Sequence, residues 1–295
     1  MKRAILFVLI AVFAVTAAIF CTGCVGLVKT VKGELITETY SLEDADSFVL
    51  KNFSIKVAGK SVGPTIEFVS DGGAPSATVT MQEGMFDTVK LQQTGKKLVF
   101  SGRKYCVYLT DYDVKIVVKN CVFNCVDLSG AAKATADDGC LGGDLFVDLS
   151  GASRLNGKNL VGDSVKFDLS GASNVSFDSI ACSKMTIDMS GASMVSCPAV
   201  TATTINADIS GASKVSFTAG EANSLDVDIS GASSFDTPEF VIKNVHLDVS
   251  GASKVAFTAN DSTITGDVSG ASTVEYKGKA TTSVDVSGGS SVKNV

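Results

Sequence analysis

Nine aspartates recur at a spacing close to twenty residues: Asp127, Asp148, Asp168, Asp188, Asp208, Asp228, Asp248, Asp267 and Asp285. Each opens the phrase Asp-(Leu/Met/Ile/Val)-Ser-Gly-Ala, usually followed by Ser, with Gly289 in place of Ala in the last copy. Carboxylates in such a pattern can act as acids and bases, hold divalent cations, or accept hydrogen bonds from turn N–H groups. Acid–base work needs two carboxylates in different environments, and a repeated phrase gives every copy the same one. Calcium needs six or more oxygens, and the phrase lacks the Gly-Gly-x-Gly-x-Asp spacing of calcium-loaded β-rolls. The expected reading is therefore capping. Each Asp, with the first Ser of its phrase, accepts from N–H groups of its own corner and stays hydrated. A ladder of cations, calcium first, is the alternative.

No other residues assemble a reactive site. His246 is the only histidine and stands in an alternating strand pattern between Val245 and Leu247. No Ser/His/Asp set, Cys/His pair or phosphate loop is present, so no catalytic residue and no metal centre is expected. Beyond Cys24 the cysteines are Cys106, Cys121, Cys125, Cys140, Cys182 and Cys197, with no zinc-type spacing. An even number permits disulfides in an exported chain. One bond is expected to be available among Cys121, Cys125 and Cys140, and the sequence does not choose it. Cys197 replaces an inward Phe and reads as a buried free thiol.

The elements that must carry the aspartates are strands. In Ser164-Val165-Lys166-Phe167-Asp168-Leu169-Ser170 apolar and polar residues alternate, the period of a strand buried on one face. Aligned by repeat, one inward column reads Leu128, Leu149, Leu169, Met189, Ile209, Ile229, Val249, Val268, Val286. A second reads Leu155, Val175, Val195, Val215, Phe235, Val255, Val274, Val292, followed by a partial aromatic column Phe177, Phe217, Phe257, Tyr276. A weaker third holds Leu160, Ile180, Val200 and Phe240. Three short apolar faces per period, separated by turns, describe one coil of an all-β, right-handed parallel β-helix. Stacked coils would place like residues over like at about 4.8 Å, making a rod on the order of 40 Å long over residues 126–295. At that spacing neighbouring carboxylates repel by about 1 kcal/mol in a water-like dielectric.

Each phrase carries a glycine, namely Gly130, Gly151, Gly171, Gly191, Gly211, Gly231, Gly251, Gly270 and Gly288. A tight corner with positive φ accepts Gly at little steric cost. The neighbouring Ala is expected to be small because it turns into the vertex, and the Ser hydroxyls to satisfy corner backbone groups. Residues 40–125 lack the phrase but alternate, with strands expected at 48–50, 53–57, 65–69, 77–81, 97–100 and 114–118. They read as an irregular β region that caps the open end of the stack. The last coil has no such cover, so self-association at the solenoid end is expected as one way to close it.

At the N-terminus, Lys2 and Arg3 precede an apolar run, Ala4 to Phe20, and then Cys21-Thr22-Gly23-Cys24. This reads as a lipoprotein-type signal peptide over 1–23, lipid attachment at Cys24 and a tether over 24–39. Cys21 stands where Leu is usual in such signals; cleavage after Ala17 or Ala18, or a retained anchor, are the rival readings. Removing 1–23 moves the net charge from −6 to −8. An acidic chain without a basic run argues against nucleic acid and against anionic lipid as partners. Membrane contact is expected only through the lipid.

The order of features resembles the GIN-domain family of auto-transporter adhesin heads. The matching residues run from about Tyr40 to Val295 and include Asp46-Ser47-Phe48, Phe53-Ser54-Ile55-Lys56-Val57, the strand at 114–118 and Val126-Asp127-Leu128-Ser129-Gly130-Ala131. The resemblance implies a right-handed β-helix and an envelope or surface location in a bacterium. Its cysteine content departs from the family. The expected function is a non-catalytic, adhesin-like lipoprotein of the outer membrane or cell surface. It would present a repetitive face, with outward Lys166, Asn206, Lys214 and Lys254, to a glycan or protein. A structural envelope scaffold is the runner-up, and a polysaccharide-active enzyme comes third.

Overall fold

The computed structural model describes residues 27–31, 33–57, 60–103, 106–109 and 114–295. The signal segment and Cys24 lie outside them. Among the described residues the only helical element is the 3-10 turn Glu83–Met85, and no helix is long and apolar enough to cross a membrane.

From Phe123 onward the chain winds as a solenoid. Seven long strands follow one another: Arg154–Leu169, Asn174–Met189, Met194–Ile209, Lys214–Ile229, Ser234–Val249, Lys254–Val268 and Thr273–Val286. Each pairs in parallel with the next, residue over equivalent residue. The corners differ from expectation. Three short strands divided by turns were the expected unit, but five of these seven strands run unbroken for 16 residues. Only the Ser-Gly-Ala corner is a turn. Elsewhere the chain bends while most of its residues stay paired with the coils on either side, with register shifts where the stretches at 237–240 and 260–262 pass the bend.

The interior holds the expected columns. Leu128 through Val268 are buried at every step of the first column, and Leu155 through Val274 in the second. The aromatic column is filled by volume compensation: Gly157, Phe177, Cys197, Phe217, Thr237, Phe257, Tyr276. A Cβ on Gly157 would sit 2.2 Å from Phe177 Cε1, so the ring occupies the space the glycine leaves. Gly220 and Phe240, in the third column, are related in the same way, with a Cβ 2.9 Å from the ring. Thr237, fully buried in a Phe slot, donates its hydroxyl to Ala256 O at 2.8 Å, which removes the cost of an unpaired polar group there. Native-like packing density across coils thus depends on the order of large and small residues.

The N-terminal region is built differently. Leu35–Ser41 and Lys115–Lys119 flank Ser76–Gln82 in antiparallel pairs, and Lys90–Thr94 forms a hairpin with Lys97–Ser101. Yet Ser47–Lys51 pairs in parallel with Phe123–Leu128, and Thr65–Val69 with Lys133–Ala136. The first coils therefore rest directly on this region and share its core. The expected tether carries strands Leu27–Thr30 and Leu35–Ser41, and the strand expected at 53–57 covers only Ile55–Val57. Strands Leu35–Ser41 and Lys90–Thr94 lie outside the repeat, which is why periodicity did not reveal them.

Candidate functional site

The corner is the structural origin of everything outside it. Gly151 has φ +74°, and a Cβ there would lie 2.4 Å from Gly130 O. That same oxygen accepts a hydrogen bond from Ala152 N at 2.6 Å. The pattern repeats up to Gly289 N on Gly270 O at 2.7 Å. Glycine is required twice over, by the positive φ and by the carbonyl of the coil beneath. The adjacent alanines, such as Ala172 and Ala192, are exposed, so the expected steric vertex is not theirs. The buried vertex is the second Ser of the phrase. Ser153, Ser173 and Ser193 each donate to the carbonyl of the first Ser, at 2.7–2.8 Å. Of the first serines, Ser210 Oγ and Ser269 Oγ donate to the strand one coil back, at 3.2 and 3.5 Å, rather than accepting from a turn N–H.

Three residues before each corner glycine, the aspartates line up. Asp127 pairs in register with Asp148, Asp148 with Asp168, and so on through Asp267 with Asp285. They point outward: Asp127, Asp148 and Asp168 are half-buried, and the other six are exposed. Among the described residues none of the nine makes a side-chain hydrogen bond or an ion pair within 4 Å. The expected capping role is thus not what the structure shows; serine hydroxyls and backbone hydrogen bonds hold the corner instead. Partial burial, then the charges of Asp127 and Asp168, raise the Asp148 carboxyl above its ordinary value. Partial burial and then Asp248, Asp208 and Asp226 do the same for Asp228. At Asp127 burial raises the carboxyl while Lys51 and Lys97 oppose it. No group of three or more His, Cys, Asp or Glu among the described residues is arranged to hold a metal ion.

Some charges on the other outward faces are paired. Lys158 pairs with Asp137, Lys214 with Asp236, and Lys254 with Glu275, each bond reaching the neighbouring coil at 2.8–3.4 Å. Lys214 and Lys254, expected at outward positions, are engaged in these pairs. Lys166 lies 5.3 Å from the centre of the Phe146 ring, a cation–π contact beside Asp148. On the aspartate side, Asp226, Asn244, His246, Thr263 and Thr265 line an open groove of about 280 Å³. His246 is exposed, bonds Thr265 Oγ1 at 3.2 Å, and sits in register with Asp226. Reading the column two residues before the repeated Asp would have placed these two together. A second groove, of about 250 Å³, is lined by Thr201, Thr203, Glu221, Asn223 and Lys243 over Ala202 and Ala222.

Residues 60–221 and 175–280 match the family model described as "Putative auto-transporter adhesin, head GIN domain". The chain belongs to the GIN-domain family. No curated protein has a matching sequence. Among solved structures, this GIN-domain chain is similar to a "putative adhesin" from Parabacteroides distasonis, with TM-score 0.58 and 15% identity over 91% of this chain and 100% of that one. A "putative adhesin" from Parabacteroides merdae aligns with TM-score 0.55 and 15% identity, covering 91% and 99%. A "Putative lipid binding protein" from Parabacteroides distasonis gives 0.55 and 13%, covering 91% and 100%. At these identities the likeness is one of fold.

Proposed function

We propose that this GIN-domain protein is a non-catalytic, exported lipoprotein of a bacterial envelope, and that it binds surface ligands through the sides of its solenoid. The observation that carries the reading is the in-register carboxylate column beside the groove of Asp226, Asn244 and His246. One set of side chains is offered again every coil, on a backbone too extensively hydrogen-bonded to rearrange. Weak contacts repeated along a rigid rod add through effective concentration. The adhesin names of the family and of two solved neighbours support a binding role. The Lys2-Arg3 and Ala4-to-Cys24 pattern supports export and lipidation. The lipid-binding name of the third neighbour has less support here, because each groove sets charged side chains or His among its Ala, Val or Leu positions, Glu221 and Lys243 in one and Asp226 and His246 in the other.

The test is retention of the purified chain, coupled to beads at high and low density, on immobilised cell-surface glycans and surface proteins. Density-dependent retention supports the reading. Absence of retention at every density, or turnover of a glycan, overturns it.

A further inference from the structure

The boundary between the irregular region and the regular coils holds two inward thiols. Cys121 and Cys140 are 7% and 1% exposed and belong to the same core. They lie on consecutive turns of the chain. Phe123 N donates to Cys140 O at 2.9 Å, and Phe123 pairs in register with Leu141. Cys121 is thus two residues from a backbone atom in direct contact with Cys140. An extended pair of residues spans at most about 7 Å, so Cys121 stays in the neighbourhood of Cys140, and after burial and Asp137 it is among the nearby groups that raise the Cys140 thiol. Cys125 is set apart. It stands in register with Ser47 and Phe146, in the half-exposed outward column next to the aspartates. Cys182 and Cys197 lie further along the solenoid, and each is free.

We infer that Cys121 and Cys140 form a disulfide in the oxidised protein, stapling the last irregular turn to the first regular coil. The ladder is irregular at this point: the pairing register shifts between Phe123 and Cys125, where the later coil accommodates extra residues. A covalent link there holds the coil start against that bulge. Both thiols are reduced in the structure. The reaction needs an oxidant, namely the disulfide of an extracytoplasmic thiol–disulfide oxidoreductase or of oxidised glutathione. One protein thiolate attacks that disulfide and releases one of its sulfurs as a thiol. The second protein thiolate then displaces the other sulfur. Two protein thiols become one disulfide, and the oxidant leaves as two thiols with the two protons. Burial raises both thiols above the ordinary value, so the exchange belongs to folding, before the core closes.

The experiment refolds the full chain in a buffer of oxidised and reduced glutathione, alkylates the remaining thiols and maps peptides by mass spectrometry. The expected result is a Cys121–Cys140 peptide 2 Da lighter than its reduced pair, with Cys125, Cys182 and Cys197 alkylated. The oxidised protein should melt about 5 °C above the reduced one, given a closed loop of this length. Cys140→Ser should release Cys121 to alkylation and abolish the redox-dependent Tm difference. Cys121 alkylated in the refolded wild type, or linked to Cys125 or another cysteine, overturns the assignment. Because the peptides are mapped on the wild type, the outcome does not depend on whether the variant folds.

Discussion

Aspartates in the two halves of the molecule are under opposite constraints. Asp71, in the N-terminal region, accepts from Asn120 Nδ2, Lys119 Nζ and Gly73 N at 2.7–3.0 Å, and these bonds hold its carboxyl well below the usual range. Asp148, in the solenoid, has no such partner and faces Asp127 and Asp168, which with burial push its carboxyl up. In the irregular region charged groups such as Asp71, Glu67 and Asp46 have specific partners, and the rings of Phe48, Phe68 and Phe123 interlock at 4.9–6.1 Å. In the coils each corner Gly, buried Ser and repeated Asp stacks on its own copy. Repetition makes the backbone self-templating, and it also stacks like charge on like charge. The repulsion is tolerated because hydrogen bonds, serine ladders and apolar columns are stacked by the same repetition.

The largest effect should come from the corner. Gly191→Ala puts a Cβ 2.4 Å from Gly171 O at φ +76°, and should cost more than about 3 kcal/mol through lost corner hydrogen bonds and strain. Gly95→Ala, at φ +57° with nothing within 4 Å, should cost only about 1–2 kcal/mol. Denaturant melts of the two variants measure the difference; equal costs would mean that corner stacking contributes nothing.

Next in size is the compensated column. Phe177→Ala should cost about 3–5 kcal/mol by leaving a cavity over Gly157. Gly157→Ala should clash with the Phe177 ring and be partly rescued by Phe177→Leu, so a double-mutant cycle should show coupling. Additive costs would contradict packing across those two coils.

A smaller effect concerns pH. Raised folded-state values at Asp127, Asp148 and Asp228 mean stability that is fully present below the unfolded value near 3.9 and is lost as pH rises through the folded values. Asp71 acts in the other direction: its contribution is present above the unfolded value and lost as pH falls through the depressed one. Asp148→Asn should therefore raise Tm by about 2 °C at pH 7 and flatten the slope between pH 4 and 7, while Asp71→Asn should lower Tm at pH 7. Added salt should narrow the Asp148→Asn gain. The smallest expected change is the response to metal: millimolar calcium or a chelator should leave Tm within about 1 °C, since no metal-holding cluster lies among the described residues.

The coils were legible because every inward position was written many times; Leu128 to Val268 could be checked against their copies. What sequence missed was where a residue acts through its unlike neighbour. Thr237 in a Phe slot, Gly157 under Phe177, and Asp226 beside His246 make sense only once the coils are superposed in register. Strand Leu35–Ser41 was read as tether because its antiparallel partner, Ser76–Gln82, is distant in sequence and shares no repeat with it. The role of the aspartates was misjudged for a related reason: the corner groups they would cap are already bonded to the coil beneath.

Coupling between neighbouring aspartates tests the stacking most directly. Successive coils in register turn nine separate aspartates into one column. NMR titration of the Asp148 carboxyl in wild type, Asp168→Asn and Asp248→Asn proteins measures this. The stacking predicts that removing the Asp168 charge lowers the Asp148 midpoint, while removing Asp248, several coils away, leaves it unchanged. An Asp148 midpoint indifferent to Asp168, or moved equally by Asp248, would contradict the column.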